Sequence, residues 1–526
     1  VKLDGMRRYG AEEVVDAVVI GTGAGGAPLL ARLAEAGLRV VALEAGRNWT
    51  PADYPADEIA ATGIYWMGER LSGGDTPEAF GPNNSGMGVG GSTLHWGAFC
   101  PRADARDLRL RSEQGVGADW PFGLEALLPY YRQVEAFIGV SGPQDYPWDA
   151  ERRYALPPLP RNAPAQMMAA GCAALGVRTA DAPAAVLSRA SGERSACVNC
   201  GYCHQGCRNG AKTSMDVTYL PVAVAAGAEI RAESFVHGFE RDRAGRITAV
   251  IYHSGGTDHR QRCAAVFLCA GAVETPRLLL HCGLANSSGQ VGRNYMAHVA
   301  TQVWGTFEAE MRPNKGYPSS LITEDMLRPA DADFAGGYLV QSLGIVPVTW
   351  ANAVVRARGL WGPRLVAALD GYNHVAGIGI NGETLPSDGN FLELSDEVDE
   401  LGMPKALVHF SYGANETAMD RHASRLMTAV WEAAGARDIW VAQRSAHTIG
   451  TCRMGRDAAT AVVDPAGRSF DVANLWICDN SVFPSSLAAN PALTIMALSL
   501  RTAAGFLRAY PRSIDGLTEL SDHQPD

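Results

Sequence analysis

Basic residues are in the minority: 45 Lys and Arg stand against 56 Asp and Glu, for a formal net charge of −11. Binding to nucleic acid rests on a positive surface that displaces counterions from phosphates, so this balance excludes that class of partner. Long apolar runs are lacking too. None approaches the ~20 residues that a bilayer crossing requires, so no transmembrane segment is expected. The opening residues, V-K-L-D-G-M-R-R-Y-G, contain no apolar stretch of the kind a secretory leader carries. Internal repeats and low-complexity segments are absent. Cysteine is not scarce, but its count of 11 is odd, and outside one cluster most cysteines sit singly in apolar runs. That usage reads as a reducing compartment rather than a disulfide scaffold, and the expected location is cytoplasmic, with export alongside a partner subunit as the alternative. The remaining composition, 47% hydrophobic and 19% charged, is that of an ordinary globular protein. At 526 residues the chain is long for one core, and two domains are expected.

What is present is organised around Val18–Gly26, V-V-I-G-T-G-A-G-G. A largely apolar run ends abruptly in glycines, Ala27–Gly37 reads as a helix, and Leu38–Leu43 reads as a second strand ending at Glu44. Gly21, Gly23 and Gly26 have the G-x-G-x-x-G spacing. The first glycine makes a tight turn, the second lets backbone approach a pyrophosphate, and the third lets helix pack on strand. The anion then meets the free N–H groups of the helix N-terminus. Glu44, 23 positions after Gly21, stands where an acid can hold a ribose hydroxyl. The pattern indicates a dinucleotide and leaves FAD and NAD both open.

Further along, Gly81–Arg102 is crowded with glycine yet contains Trp96 and Phe99, which reads as a loop entering a helix against a bulky ligand. Residues 103–140 look helical, and the proline-rich stretch 142–164 reads as a crossing between domains. Lys212–Ala226 reads as a helix, followed by a strand at Glu229–Arg231 and two strands about an Arg243–Gly245 turn. Ala264–Ala270 is a continuous apolar run, expected to be a strand buried on both faces, with a helix after it at Glu274–His281. Between about 299 and 440 short strand-like runs such as Ala300–Phe307 and Ala376–Ile380 predict an antiparallel sheet with helices near 350–370 and 414–435. The tail returns to the first style, with a buried strand in Asn474–Asp479 and a long apolar helix over Pro491–Arg508.

These boxes, in order, resemble the glucose–methanol–choline (GMC) family of FAD-dependent alcohol oxidoreductases. The matching stretches are V-V-I-G-T-G-A-G-G with Glu44, G-V-G-G-S-T-L-H-W at 88–96, C-A-G-A-V-E-T-P-R-L-L-L at 269–280 and V-G-R-N-Y-M-A-H at 291–298. H-T-I-G-T-C-R-M-G at 447–455 and N-L-W-I-C-D-N-S-V-F-P with N-P-A-L-T-I, within 474–495, complete the set. The resemblance implies an α/β, overall α+β, fold: a Rossmann-like FAD-binding domain interleaved with a substrate domain built on a mostly antiparallel sheet backed by helices. The expected segments are 1–105, 191–298 and 441–526 for the FAD domain, the second with a cysteine-rich loop, 106–190 for a substrate or cap segment, and 299–440 for the substrate domain.

Oxidising an alcohol requires a base for the hydroxyl proton and an acceptor for the hydride, and no side chain accepts a hydride. A base titrating near neutrality points to histidine, of which there are 12. The resemblance selects His447 as the base and Asn490, 43 positions on, as the residue that holds the substrate oxygen at the flavin N5 edge. It also implies flavin contacts from Gly90, Gly91, Thr93 and His95, from Val236 near the adenine, from Ala270, from Asp479 near the ribitol, and from Asn490 and Pro491. His95 matches a position at which some family members attach FAD covalently and others only contact it. The expected substrate is a small-molecule sugar, glycoside or aminoglycoside-like polyol, with a sterol or long-chain alcohol as the alternative, and the electron acceptor is oxygen or a redox partner.

Cys197, Cys200, Cys203 and Cys207 spell C-x2-C-x2-C-x3-C, the spacing of a bacterial iron–sulfur site, although Arg208 stands where proline usually follows. Three readings remain at this stage: an iron–sulfur cluster, a zinc site, or a tight loop of free thiols. The cluster reading also supplies a rival from another class, an electron-transfer subunit without substrate chemistry, just as the first motif alone supplies an NAD-dependent dehydrogenase.

Overall fold

The computed structural model describes residues 1–66, 70–75 and 85–510. The start of the glycine-rich stretch, 81–84, and the end of the last expected segment, 511–526, lie outside the described residues.

The Val15–Ile20 run forms a strand in which all six residues are buried, because it lies at the middle of a seven-stranded sheet. Glu229–Arg231, Val40–Leu43, Val15–Ile20, the second half of Thr257–Leu268 and Leu475–Ile477 run parallel in that order. The first half of Thr257–Leu268 turns outward and pairs antiparallel with Ile247–Ser254, which pairs with Phe235–Arg241. Helix Gly26–Glu35 covers the sheet with eight buried residues. The apolar helix Ala492–Ala509 packs against it and against Leu128–Ile138. Among the described residues Ala492–Ala509 is the one helix long and apolar enough to cross a membrane, and most of it is buried inside the protein. The carboxyl ends of the parallel strands open together, the place where sheets of this type bind ligands.

The second sheet has eleven strands and is mostly antiparallel. Its middle strand, Val375–Gly382, is buried along its whole length. One face carries Val303, Val340 and Ile378, which pack with Met419, Met427 and Trp431 of helix Ala414–Ala433 and with Met168 of helix Ala163–Ala174. Because side chains alternate along a strand, Gln302, Trp304, Gly379, Asn381 and Gln341 fall on the other face, which lines the cavity described below. Two strands from inside the expected FAD segments, Arg293–Val299 and Ser445–Thr451, pair with each other in this larger sheet.

Two local boundaries are corrected. The strand expected over 300–307 is present but confined to Gln302–Thr306, set apart from Arg293–Val299 because Val299 pairs with Gly382 and Ser445 whereas Gln302 pairs with Gly379 and Ala442. The helix expected from Lys212 begins at Tyr219, after a short turn at Met215–Val217. Lys212 and Thr213 are held extended, since Leu187 N donates to Ala211 O and Thr213 N to Ala185 O.

Candidate active site

A cavity of about 460 Å³ runs from the glycine turn to the larger sheet. Its first wall is mainly backbone. Gly21 adopts φ +94°, and a Cβ there would stand 2.5 Å from Cys269 O; one on Gly26 would stand 1.9 Å from Gly21 O. Positions 21 and 26 are therefore closed to any side chain. No described side chain caps the helix after the turn; in its first turn Ala27 N donates to Gly23 O and Pro28 carries no N–H. Gly91 brings a second chain segment against the turn, where its Cβ would lie 2.7 Å from Gly23 Cα. Gly90 N donates to Thr22 Oγ1, and Thr93 Oγ1 donates to Gly90 O while accepting from Met215 N.

Glu44 lines the cavity, but its carboxylate already accepts four protein hydrogen bonds, from Thr22 N, Thr22 Oγ1, Gly46 N and Gly88 N. A ribose hydroxyl would share an oxygen with these donors. Asp479 is similarly engaged: Oδ2 accepts from Gly271 N and Thr275 Oγ1, and Oδ1 from Ser481 N. Burial pushes both carboxyls up from their ordinary range, and these donors oppose the shift. Val236, Ala270, His95, Thr93, Asn490 and Pro491 all line the cavity. Gly26 and Gly90 do not line it and act through packing and turn geometry instead.

The opposite end is built by an irregular strand. Ala446 pairs with His298 and Ile449 with Met296, so one residue is extra on the Ser445–Thr451 strand. His447 falls in this bulge with φ +62°, a left-handed conformation that a histidine adopts only where its surroundings impose it. The bulge brings His447 onto the cavity beside Asn490, with Asn490 Nδ2 3.4 Å from His447 Nε2. The two residues picked from the sequence are thus brought together.

His298, which ends the V-G-R-N-Y-M-A-H box, supplies what sequence reasoning missed. Its Nε2 lies 3.0 Å from Ser486 O and 2.9 Å from Leu487 O. Carbonyls only accept, so Nε2 carries the hydrogen. Burial lowers the His298 pKa to about 4, which keeps the ring neutral and its Nδ1 a bare acceptor. His447 Nδ1, 2.8 Å away, is then the donor. This assigns the lone pair of His447 to Nε2, on the Asn490 side. Asn381 Nδ2 donates to Asn490 Oδ1 at 3.1 Å and fixes that amide with its NH2 group toward His447. Burial, with the Arg444 charge behind it, drives the His447 pKa well below 6.5, so the imidazole is neutral at pH 7.

The four clustered cysteines are not arranged as a metal site among the described residues. Cys200 is exposed, Cys203 buried, and Cys197 and Cys207 lie between. Cys207 Sγ donates to Asn209 Oδ1 and accepts from Lys212 N, and Cys197 Sγ accepts from Asn199 N. Among the described residues no group of three or more His, Cys, Asp or Glu is placed to hold a metal ion, so the donor set fits neither an iron–sulfur cluster nor zinc. The loop is organised by Lys212, whose buried Nζ donates to Leu94 O, Trp96 O and Cys203 O and ties the loop to the glycine-rich box.

GMC oxidoreductase family models match residues 64–300 and 386–499. The chain is 30% identical to the fructose dehydrogenase large subunit of Gluconobacter japonicus, over 94% of this chain and 97% of that protein. It is 29% identical to paromamine 6'-oxidase of Streptomyces fradiae, over 95% and 92% respectively. A solved Aspergillus oryzae formate oxidase variant, studied for FAD modification, superposes with a TM-score of 0.69 at 14% identity, over 95% of this chain and 99% of the other. The chain belongs to the GMC oxidoreductase family.

Proposed function

We propose that this protein oxidises a CH–OH group of a small sugar, glycoside or polyol to a carbonyl, with FAD as its resident cofactor. The observation that carries the reading is the His298–His447–Asn490 arrangement at the cavity end facing the larger sheet. The residues present fit FAD: glycines at 21 and 26, where no Cβ fits, let the turn backbone line the cavity, and the buried Nε2 of His95, with no hydrogen-bond partner among the described residues, stands on the cavity wall. Gly21, Gly23 and the helix after them would hold the pyrophosphate, Glu44 and Val236 the adenosine side, and Ala270, Asp479, Thr93, His95 and Pro491 the remainder. When bound, the flavin supplies the hydride acceptor that side chains cannot provide.

His447 Nε2 takes the hydroxyl proton, and a pKa below neutrality keeps it unprotonated and ready to do so. Its Nδ1 proton stays on the bond to His298, whose neutral ring accepts it. The NH2 group of Asn490 holds the substrate oxygen within reach of the base. Electrons leave to oxygen or to a redox partner. The cysteine loop serves as packed free thiols. Anaerobic mixing with a panel of sugars, glycosides, sterols and straight-chain alcohols tests the reading. Bleaching of the yellow colour by a sugar or glycoside is expected, and bleaching by none of the panel would contradict it.

A further inference from the structure

Beyond His447 and Asn490 the cavity is closed by the polar face of the larger sheet. Antiparallel register sets Gly379 opposite Gln302 on one neighbouring strand and opposite Gln341 on the other. All three residues line the cavity, so two glutamine side chains flank a position with no side chain. A Cβ at 379 would stand 3.2 Å from Gln302 Cγ and 3.0 Å from Leu343 Cδ1, so glycine keeps the space between the two amides open. Gln302 Oε1 accepts from Trp304 Nε1 at 3.2 Å, which fixes that amide with its NH2 group as the free donor. Asn381, two positions along the strand from Gly379, is the residue that orients Asn490. The strand that leaves the gap between the two glutamines therefore also carries the residue that orients Asn490.

The charges on this cavity are distributed unevenly. Of its described acidic lining residues, Glu44 and Asp479 sit at the ends of the parallel strands, and Glu274 is paired with Arg70 and Arg277. Among the described lining residues from the larger sheet and the adjoining segment 343–353 there is no carboxylate. Glu58, near that segment, accepts from Val348 N, Thr349 N and Thr349 Oγ1 at the start of helix Pro347–Arg358 and is not on the lining. Arg444, three positions before His447, also lines the cavity. Amides offer both donor and acceptor to a hydroxyl. An ammonium group entering here would lose its hydration without gaining a carboxylate.

We propose that Gln302, Gly379 and Gln341 form a hydroxyl-recognition subsite that selects an uncharged polyhydroxylated substrate over its amino-substituted, cationic counterpart. This rests on the reading of the cavity as a site of CH–OH oxidation. The test uses the full chain loaded with FAD, mixed anaerobically with the neutral glycoside that bleaches it best and with the 2-amino-2-deoxy analogue of that glycoside. At pH 7 the amino analogue is expected to need at least about tenfold more for half-saturation, and the gap should close once the pH is raised enough to neutralise the amine. Gln341→Leu should raise the half-saturating concentration of the neutral glycoside about tenfold, with a smaller change in the limiting rate of flavin reduction. Gln341→Glu, nearly the same shape, should reverse the preference toward the amino analogue. Equal half-saturation by both sugars, or a Gln341→Glu variant that still prefers the neutral one, would overturn the subsite alone. An FAD-loaded protein bleached by straight-chain alcohols and by no sugar would also overturn it, whereas a protein bleached by no CH–OH donor contradicts the oxidation reading itself.

Discussion

The two walls of the cavity are made by opposite means. At the glycine turn, backbone is packed on backbone: a Cβ on Gly21 would stand 2.5 Å from Cys269 O, and one on Gly91 would stand 2.7 Å from Gly23 Cα. At the larger sheet, recognition is left to side chains, with Gln302, Gln341, Asn381 and Asn490 projecting from strands and a loop around a single glycine. The first wall suits a ligand that never changes and tolerates no added atom. The second can be altered one functional group at a time, so that substrate choice varies while the cofactor stays fixed.

That contrast is broken most severely on the backbone wall. Gly26→Ala places a methyl group 1.9 Å from Gly21 O and 3.2 Å from Val19 Cγ1, and both lie in the central strand and the turn leaving it. The expected result is a flavin-to-protein ratio at least about tenfold below that of the unaltered chain, with a lowered melting temperature, because neither neighbour can move without shifting the sheet. The same purification should give an unchanged ratio for a substitution on the side-chain wall. Equal loss from both walls would show that the division is not real.

A smaller effect is expected behind the catalytic pair. His298→Asn keeps a polar group in the site but loses the imidazole that fixes His447. Partners of this kind that orient a reacting group are commonly worth about 10–100-fold, and a loss of that size in the limiting rate of flavin reduction is expected, with FAD retained. The pH profile distinguishes orientation from simple damage. The base must be unprotonated, so activity falls as pH drops through the pKa of His447, which lies below 6.5 in the intact site. His298, neutral above about pH 4, accepts the His447 Nδ1 hydrogen and so favours the protonated ring; its removal should move the acid limb to lower pH. A rate loss with an unmoved acid limb would assign His298 a packing role only.

The backbone wall was the more legible part of the sequence. A buried parallel strand must be apolar throughout and must end where its turn begins, so Val15–Ile20 and the glycines after it announce themselves locally. The pairing of His447 with Asn490 came from the family resemblance, and the structure brings the two side chains to 3.4 Å. What could not be read was everything that depends on strand register. His298 meets His447 only because one extra residue bulges the strand at 447, and no local pattern marks that insertion. The break after Val299 has the same origin, a change of pairing partners rather than of residue type. The cysteine spacing was misleading for a different reason. Short glycine-containing loops permit convergence, but the buried Lys212 gathers the carbonyls of Leu94, Trp96 and Cys203, and among the described residues no three thiols are placed to hold a metal ion.

The central claim is that His447 is the base acting beside a bound flavin, and single-turnover reduction of His447→Ala tests it most directly. With FAD content equal to that of the unaltered protein, anaerobic mixing with the preferred substrate should bleach the flavin roughly 10²–10⁴-fold more slowly, the range that a positioned base contributes. Bleaching at the original rate would contradict the account.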